Sequence, residues 1–149
     1  MTEKTGGCHC GDVSLKTDFD PMLVAQCNCG RCRQLFGTVN VGMMYAVDQI
    51  EFSSSMSHYE FTGGSGMPVK TYFCANCGCR IYSLAESFPG MVGVVLGAFD
   101  DPHQFQPVAE IYANYKLDWL SHKGCIQESF EEAAVEERLM AILNRLEES

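Results

Sequence analysis

Over the first 115 residues, hydrophobic and polar positions alternate in short runs punctuated by glycine, a pattern that predicts strands joined by turns. Val13 and Leu15 alternate with polar neighbours, and the run 22–25 follows the turn-forming Asp18-Phe19-Asp20-Pro21, so these two runs read as a hairpin. Residues 39–47, 50–52, 58–62, 69–73, 80–84, 91–97 and 109–115 continue the pattern with β-branched and aromatic side chains. Gly63-Gly64-Ser65-Gly66 reads as a hairpin loop; a phosphate cradle is the weaker reading, because no helical pattern follows it. Near the C-terminus the period changes. Ser129 and Glu132 have capping-box spacing, and Val135, Leu139, Ile142 and Leu146 recur at helical intervals. One helix is expected over about residues 127–147, its apolar stripe packed on the sheet or on a partner, a second copy in a homodimer included. The pattern predicts a mainly β fold with a C-terminal α-helix.

Composition narrows the class. A chain of 149 residues is long enough to bury about two-thirds of its unfolded surface around one core, so a single domain is expected. With 46% hydrophobic and 19% charged residues it has an ordinary globular balance, and its longest apolar run, 91–98, is too short to span a membrane. The first seven residues have no apolar stretch and no cleavage pattern, which reads as no signal or transit peptide and a cytoplasmic location. Ten Lys and Arg stand against nineteen Asp and Glu, a net charge of −9, which disfavours a nucleic-acid partner.

Nine cysteines change the picture most. Their odd number, their short spacings and the absence of a secretory pattern favour a metal framework over disulfides. Cys8-His9-Cys10 and Cys74-Ala75-Asn76-Cys77 supply two pairs, which complete one tetrahedral shell of the structural kind. Cys27, Cys29 and Cys32 remain as a compact triplet. Three thiolates at about 2.3 Å leave a fourth position on zinc for water or substrate. Three anionic ligands make such a zinc a poor Lewis acid, better suited to holding a thiol as a nucleophile than to activating water. Alternatively, the triplet recruits Cys79 or Cys125 and closes into a second structural site. Zinc, two ions per chain, is favoured over iron–sulfur or copper because tight thiolate knuckles suit it and no redox motif is visible.

The ordered set Gly6-Gly7-Cys8-His9-Cys10-Gly11-Asp12-Val13, Cys27-Asn28-Cys29-Gly30-Arg31-Cys32-Arg33 and Phe73-Cys74-Ala75-Asn76-Cys77-Gly78 resembles the glutathione-dependent formaldehyde-activating enzyme family, also called the centromere protein V (CENP-V) domain family. The resemblance continues through Gly97-Ala98-Phe99-Asp100-Asp101-Pro102 and Trp119 and spans residues 5–120 as a zinc domain. It implies an Mss4-like zinc-binding β fold with Cys8, Cys10, Cys74 and Cys77 on a structural zinc and Cys27, Cys29 and Cys32 on a catalytic one. It also implies a carbon–sulfur lyase reaction, the reversible joining of formaldehyde to glutathione as S-(hydroxymethyl)glutathione, with a small-molecule thiol as partner. Asn28 stands where many members carry His, and Glu110-Ile111 where a His-Ile pair is frequent. A non-catalytic glutathione or thiol carrier and a purely structural zinc module are the competing readings.

Other residues receive lesser roles. Arg33 is a candidate for gripping a substrate carboxylate or compensating the thiolates, with Arg31 behind it, and a plain surface role is the alternative. His9 is expected to point away from the metal, and Asp100-Asp101-Pro102 to be a turn rather than an acid or base. Cys79 is expected to be a buried small residue, and Cys125 structural. Phe99, Tyr112, Tyr115 and Trp119 are expected in the core, with one or two aromatics lining a pocket.

Overall fold

The computed structural model describes residues 2–120, 124, 126–132 and 136–148. Eleven strands and two α-helices lie in these residues, with four short 3₁₀ turns between them. In chain order they are β1 (Lys4–Gly7), β2 (Ser14–Thr17), β3 (Leu23–Cys27), α1 (Gly30–Phe36), β4 (Asn40–Ala46), β5 (Glu51–Phe52), β6 (Ser57–Thr62), β7 (Pro68–Phe73), β8 (Arg80–Ala85), β9 (Met91–Val95), β10 (Ala109–Ile111), β11 (Glu128–Ser129) and α2 (Glu136–Glu147). The fold is mainly β with a C-terminal helix. No helix among the described residues is long and apolar enough to cross a membrane.

One sheet holds three strands in the order β1-β2-β5 and the other eight, in the order β11-β10-β3-β4-β9-β8-β7-β6. The expected hairpin of the runs around Val13 and Met22 does not form. β2 pairs with β1 and β5, whereas β3 pairs antiparallel with β4 and parallel with β10. Alternation told which faces of these strands are apolar; it carries no information about which strand lies alongside. Phe52 of β5 packs on Tyr82 of β8 with centroids 4.4 Å apart, an aromatic contact that ties the two sheets together, and Gly6 of β1 bridges Phe99 in the segment that follows β9.

Alternation works as expected on β4, where Met43 and Tyr45 are fully buried and join Val13, Leu15, Ile81 and Val94 in the main core. A second cluster joins the C-terminal helix to the sheet: Leu139 and Ile142 of α2 pack against Leu23 of β3 and Ala109 of β10. Burying two such side chains contributes roughly 3–6 kcal/mol. The expected helix over 127–147 is shorter at its start in the structure. Glu128 and Ser129 form β11, parallel to β10, and the Ser129 hydroxyl donates to Glu110 and does not cap a helix. A free sheet edge at β10 competed for the segment and won, because it satisfies the backbone groups of both strands. Val135 lies outside the described residues.

Candidate functional site

The sequence brings its cysteines together in two places. Cys8, Cys10, Cys74 and Cys77 have sulfurs within 4.8 Å of one another, and so do Cys27, Cys29 and Cys32. In the first cluster Cys8 and Cys10 sulfurs are 3.5 Å apart, and Cys10 and Cys74 3.7 Å. A tetrahedral shell with zinc–sulfur bonds near 2.3 Å sets its sulfurs about 3.8 Å apart, whereas a disulfide would need about 2.05 Å. The donor set fits a metal ion of the zinc kind. Backbone amides are aimed at it: Val13 N–H donates to the Cys8 sulfur at 3.2 Å, and those of Cys79 and Cys10 pull the Cys77 thiol down to about 6. His9 is exposed and belongs to neither cluster.

The triplet straddles the junction of β3 and α1. Cys27 ends β3 opposite Asn40 of β4 and Ile111 of β10, and Cys29 caps the N-terminus of α1, its sulfur accepting from the Cys32 amide at 3.4 Å. The seven-residue helix α1 was not foreseen; it is shorter than one period-based window, and its usable signals were the Cys29-to-Cys32 cap spacing and Gly37, which ends it at φ 101°. Hydrogen bonds from Cys27 and Cys32, then from the Cys32 and Arg31 amides, draw the Cys29 thiol down to about 2, while sharing with Cys29 pushes Cys27 up to about 12, and sharing with Cys27 and then Cys29 pushes Cys32 up as well. Three sulfurs this close do not all ionise on their own; a cation among them removes the conflict. This donor set also fits a thiophilic ion.

Cys79 is not part of the triplet. It packs partly buried against the main core, and Cys125 lies outside the described residues. Among the described residues the triplet therefore has three protein ligands, and it opens onto a pocket of about 220 Å³. Larger clefts of about 520 and 440 Å³ lie elsewhere and contain neither cluster. Phe61 of β6 and Ile111 of β10 line the same small pocket although their strands stand far apart in the sheet order, so the sheet curls to bring them face to face. The β6–β7 hairpin tip closes the curl: a Cβ on Gly64 would lie 1.8 Å from the Tyr112 hydroxyl.

Tyr112 follows β10 in the left-handed region at φ 56°, the one described non-glycine residue with positive φ. Its amide donates to Glu132 O at 3.3 Å and the next amide to Phe130 O at 2.9 Å, so the C-terminal segment over-determines this conformation. Burial, then the charges of Cys29 and Cys27, raise its phenol, leaving it a hydrogen-bond donor. Arg31 lines the pocket and Arg33, the favoured arginine of the sequence reading, does not, because two positions along α1 turn a side chain about 200° around the axis, to the opposite face. Phe99 is core as expected, whereas Trp119 is 70% and Tyr115 54% exposed; an aromatic count does not reveal which face of an irregular segment meets the sheet. Asp101 accepts from the His103 amide, a turn role as expected, whereas Asp100 accepts from the Thr5 hydroxyl of β1, a contact between distant segments.

The glutathione-dependent formaldehyde-activating enzyme family model matches residues 3–115. The chain belongs to this family. Membership supports, at family level, a role in activating formaldehyde with glutathione as the thiol. The fold is similar to that of a crystal structure of a Rhodobacter sphaeroides protein, with 17% sequence identity, a TM-score of 0.52, and coverage of 85% of this chain and 98% of that one. At that identity the likeness speaks to fold alone. No curated protein matches the chain.

Sequence reasoning missed the polar group behind the triplet. Asn28 and Glu110, noted as departures from the family pattern, lie 2% and 4% exposed and hydrogen-bond each other, Asn28 Nδ2 donating to Glu110 Oε2 at 3.2 Å. Both positions stood out in the sequence as departures from the family pattern, but nothing local in the sequence says that they touch.

Proposed function

We propose that the chain is a zinc-dependent carbon–sulfur lyase acting on a thiol adduct, with the family default, reversible formation of S-(hydroxymethyl)glutathione from formaldehyde and glutathione, as its reaction. The observation that carries this reading is the three-ligand cluster opening onto its own pocket. Zinc on Cys27, Cys29 and Cys32 would supply the positive charge that keeps an incoming thiol deprotonated at neutral pH. In this reading Cys8, Cys10, Cys74 and Cys77 hold the structural zinc of an Mss4-like fold.

The remaining residues handle the substrate. The pocket, at about 220 Å³, is smaller than the ~300–1,000 Å³ that enclose a drug-sized ligand, so it takes the sulfur end of the thiol and leaves its polar ends at the surface. There Arg31, exposed at the rim, meets a carboxylate, taking the part assigned from sequence to Arg33. Phe61, Phe88 and Ile111 give an apolar wall that limits water. The sulfur lone pair forms the C–S bond as the aldehyde π pair moves to oxygen, which takes one proton from solvent in place of the one the thiol gave up. Tyr112, kept protonated, is placed to donate a hydrogen bond to that oxygen.

The decisive experiment is Cys29→Ser with metal counting and a rate assay. Loss of about one equivalent of zinc and of the rate, with circular dichroism unchanged, is the expected outcome; an equally active variant overturns the reading. A thiol carrier without turnover is the second reading, favoured by the absence of any histidine or carboxylate among the described residues lining the pocket. Calorimetric binding of glutathione with no acceleration of adduct formation would select it.

A further inference from the structure

Glu110 does not line the pocket, yet it is a buried carboxylate at the strand that does. Removing a charge from water costs several kcal/mol unless every lone pair is used. Here they are used: Lys116 Nζ donates to the two oxygens at 3.0 and 3.1 Å, Ser129 Oγ to Oε1 at 2.9 Å and Asn28 Nδ2 to Oε2 at 3.2 Å. Asn28 is itself fully engaged. Its Oδ1 accepts from Gln26 Nε2 at 2.8 Å, its Nδ2 also donates to Ile111 O at 3.2 Å, and its backbone N–H donates to that carbonyl at 3.1 Å.

The position of Asn28 gives this network its consequence. It lies between Cys27 and Cys29, so an amide clamped at three points fixes the peptides on either side and with them the directions in which two sulfurs leave the chain. Groups that orient metal ligands in this way carry affinity without touching the metal. Lys116 and Ser129, moreover, lie after residue 115, where the family match ends. β11 hydrogen-bonds to β10 in parallel at Ala109 and Glu110, and Phe130 N–H donates to Glu110 O at 3.0 Å, which locks Ser129 in place.

We propose that Glu110 is a positioning residue for the three-cysteine site, held in place by Lys116 and Ser129, so that the segment beyond the family-matched region is a working part of the site. The proposal rests on the reading of the triplet as a metal centre. Its test uses the full chain loaded with zinc, with release to a chelator followed in time and Cys29→Ser marking the phase that belongs to the four-cysteine cluster. Glu110→Ala is expected to release the triplet metal about 10-fold faster or more, with the four-cysteine phase unchanged. Glu110→Gln, which keeps an acceptor for Asn28 but loses the ion pair, falls between, and Ser129→Ala shows the smallest acceleration; these two carry the test if Glu110→Ala does not fold. Acceleration of the two phases together would assign the carboxylate to general stability and overturn the proposal, as would unchanged release from folded Glu110→Gln. A wild-type chain binding one equivalent would instead overturn the metal-centre reading, and the proposal with it.

Discussion

The two cysteine clusters use the same donor atom in opposite surroundings. The four-cysteine cluster joins segments 64 residues apart through Cys10 and Cys74, its Cys74 is 1% exposed, and Cys8 and Cys74 pack with the main core. Six residues of continuous chain supply the triplet, with a pocket on one side and a buried polar network on the other. Closing a long loop removes far more chain entropy than ordering one turn, so the same ion has different leverage at each place. Under the proposed function, an ion at the first would act on folding, and one at the second on what can bind.

The largest effect should break this comparison if it is wrong. Cys74→Ser leaves a distant pair without its partners and is expected to abolish cooperative thermal unfolding, whereas Cys29→Ser keeps it; equal melting of the two variants would remove the distinction. Glycines beside the two regions sharpen it. A Cβ at Gly6 would meet the backbone oxygen of Ala98 at 1.9 Å, which only a main-chain shift relieves, so Gly6→Ala should cost about 1–3 kcal/mol in denaturant unfolding. At Gly64 the obstacle is the end of the Tyr112 side chain, which can swing. Gly64→Ala should therefore unfold almost as wild type while kcat/KM falls about 10-fold, because Tyr112 is pushed into the pocket.

The smallest effect concerns acid. Burial raises the Glu110 carboxyl, but hydrogen bonds from Lys116, Ser129 and Asn28 and the Lys116 charge outweigh it and hold the group below its ordinary 4.5. A carboxyl lowered on folding contributes stability that is present above its unfolded value and lost as pH falls through the folded one. The stability gap between wild type and Glu110→Gln, about 1 kcal/mol at neutral pH, should close below about pH 4.5. The backbone donors behind Cys8 and Cys77 have no comparable titration, and a gap that persisted in acid would mean the carboxylate charge is not what the network uses.

Much of the site was readable because metal ligands are a local code. Cys8 with Cys10, Cys74 with Cys77, and Cys27 with Cys29 and Cys32 each lie within one turn, and a turn of chain can aim its sulfurs at one point whatever surrounds it. Strand positions such as Met43 and Tyr45 were readable for a similar reason, since alternation in sequence is alternation in space. Reading failed where the outcome depended on a distant neighbour: β2 against β5 instead of β3, and Ser129 in a strand at the edge of β10 instead of a helix cap.

The sequence by itself thus determined a mainly β chain, its C-terminal amphipathic stripe and the division of seven cysteines into four and three, because periodicity and spacing are properties of adjacent residues. Only the tertiary structure decided that Arg31 faces the pocket and Arg33 does not, that Gly64 meets Tyr112, and that Lys116 and Ser129 converge on Glu110 behind Asn28. Those relations join residues that share no local pattern. They exist because a curled sheet and a returning C-terminal segment bring them together, and the buried charge of Glu110 is tolerated only where all of its partners arrive.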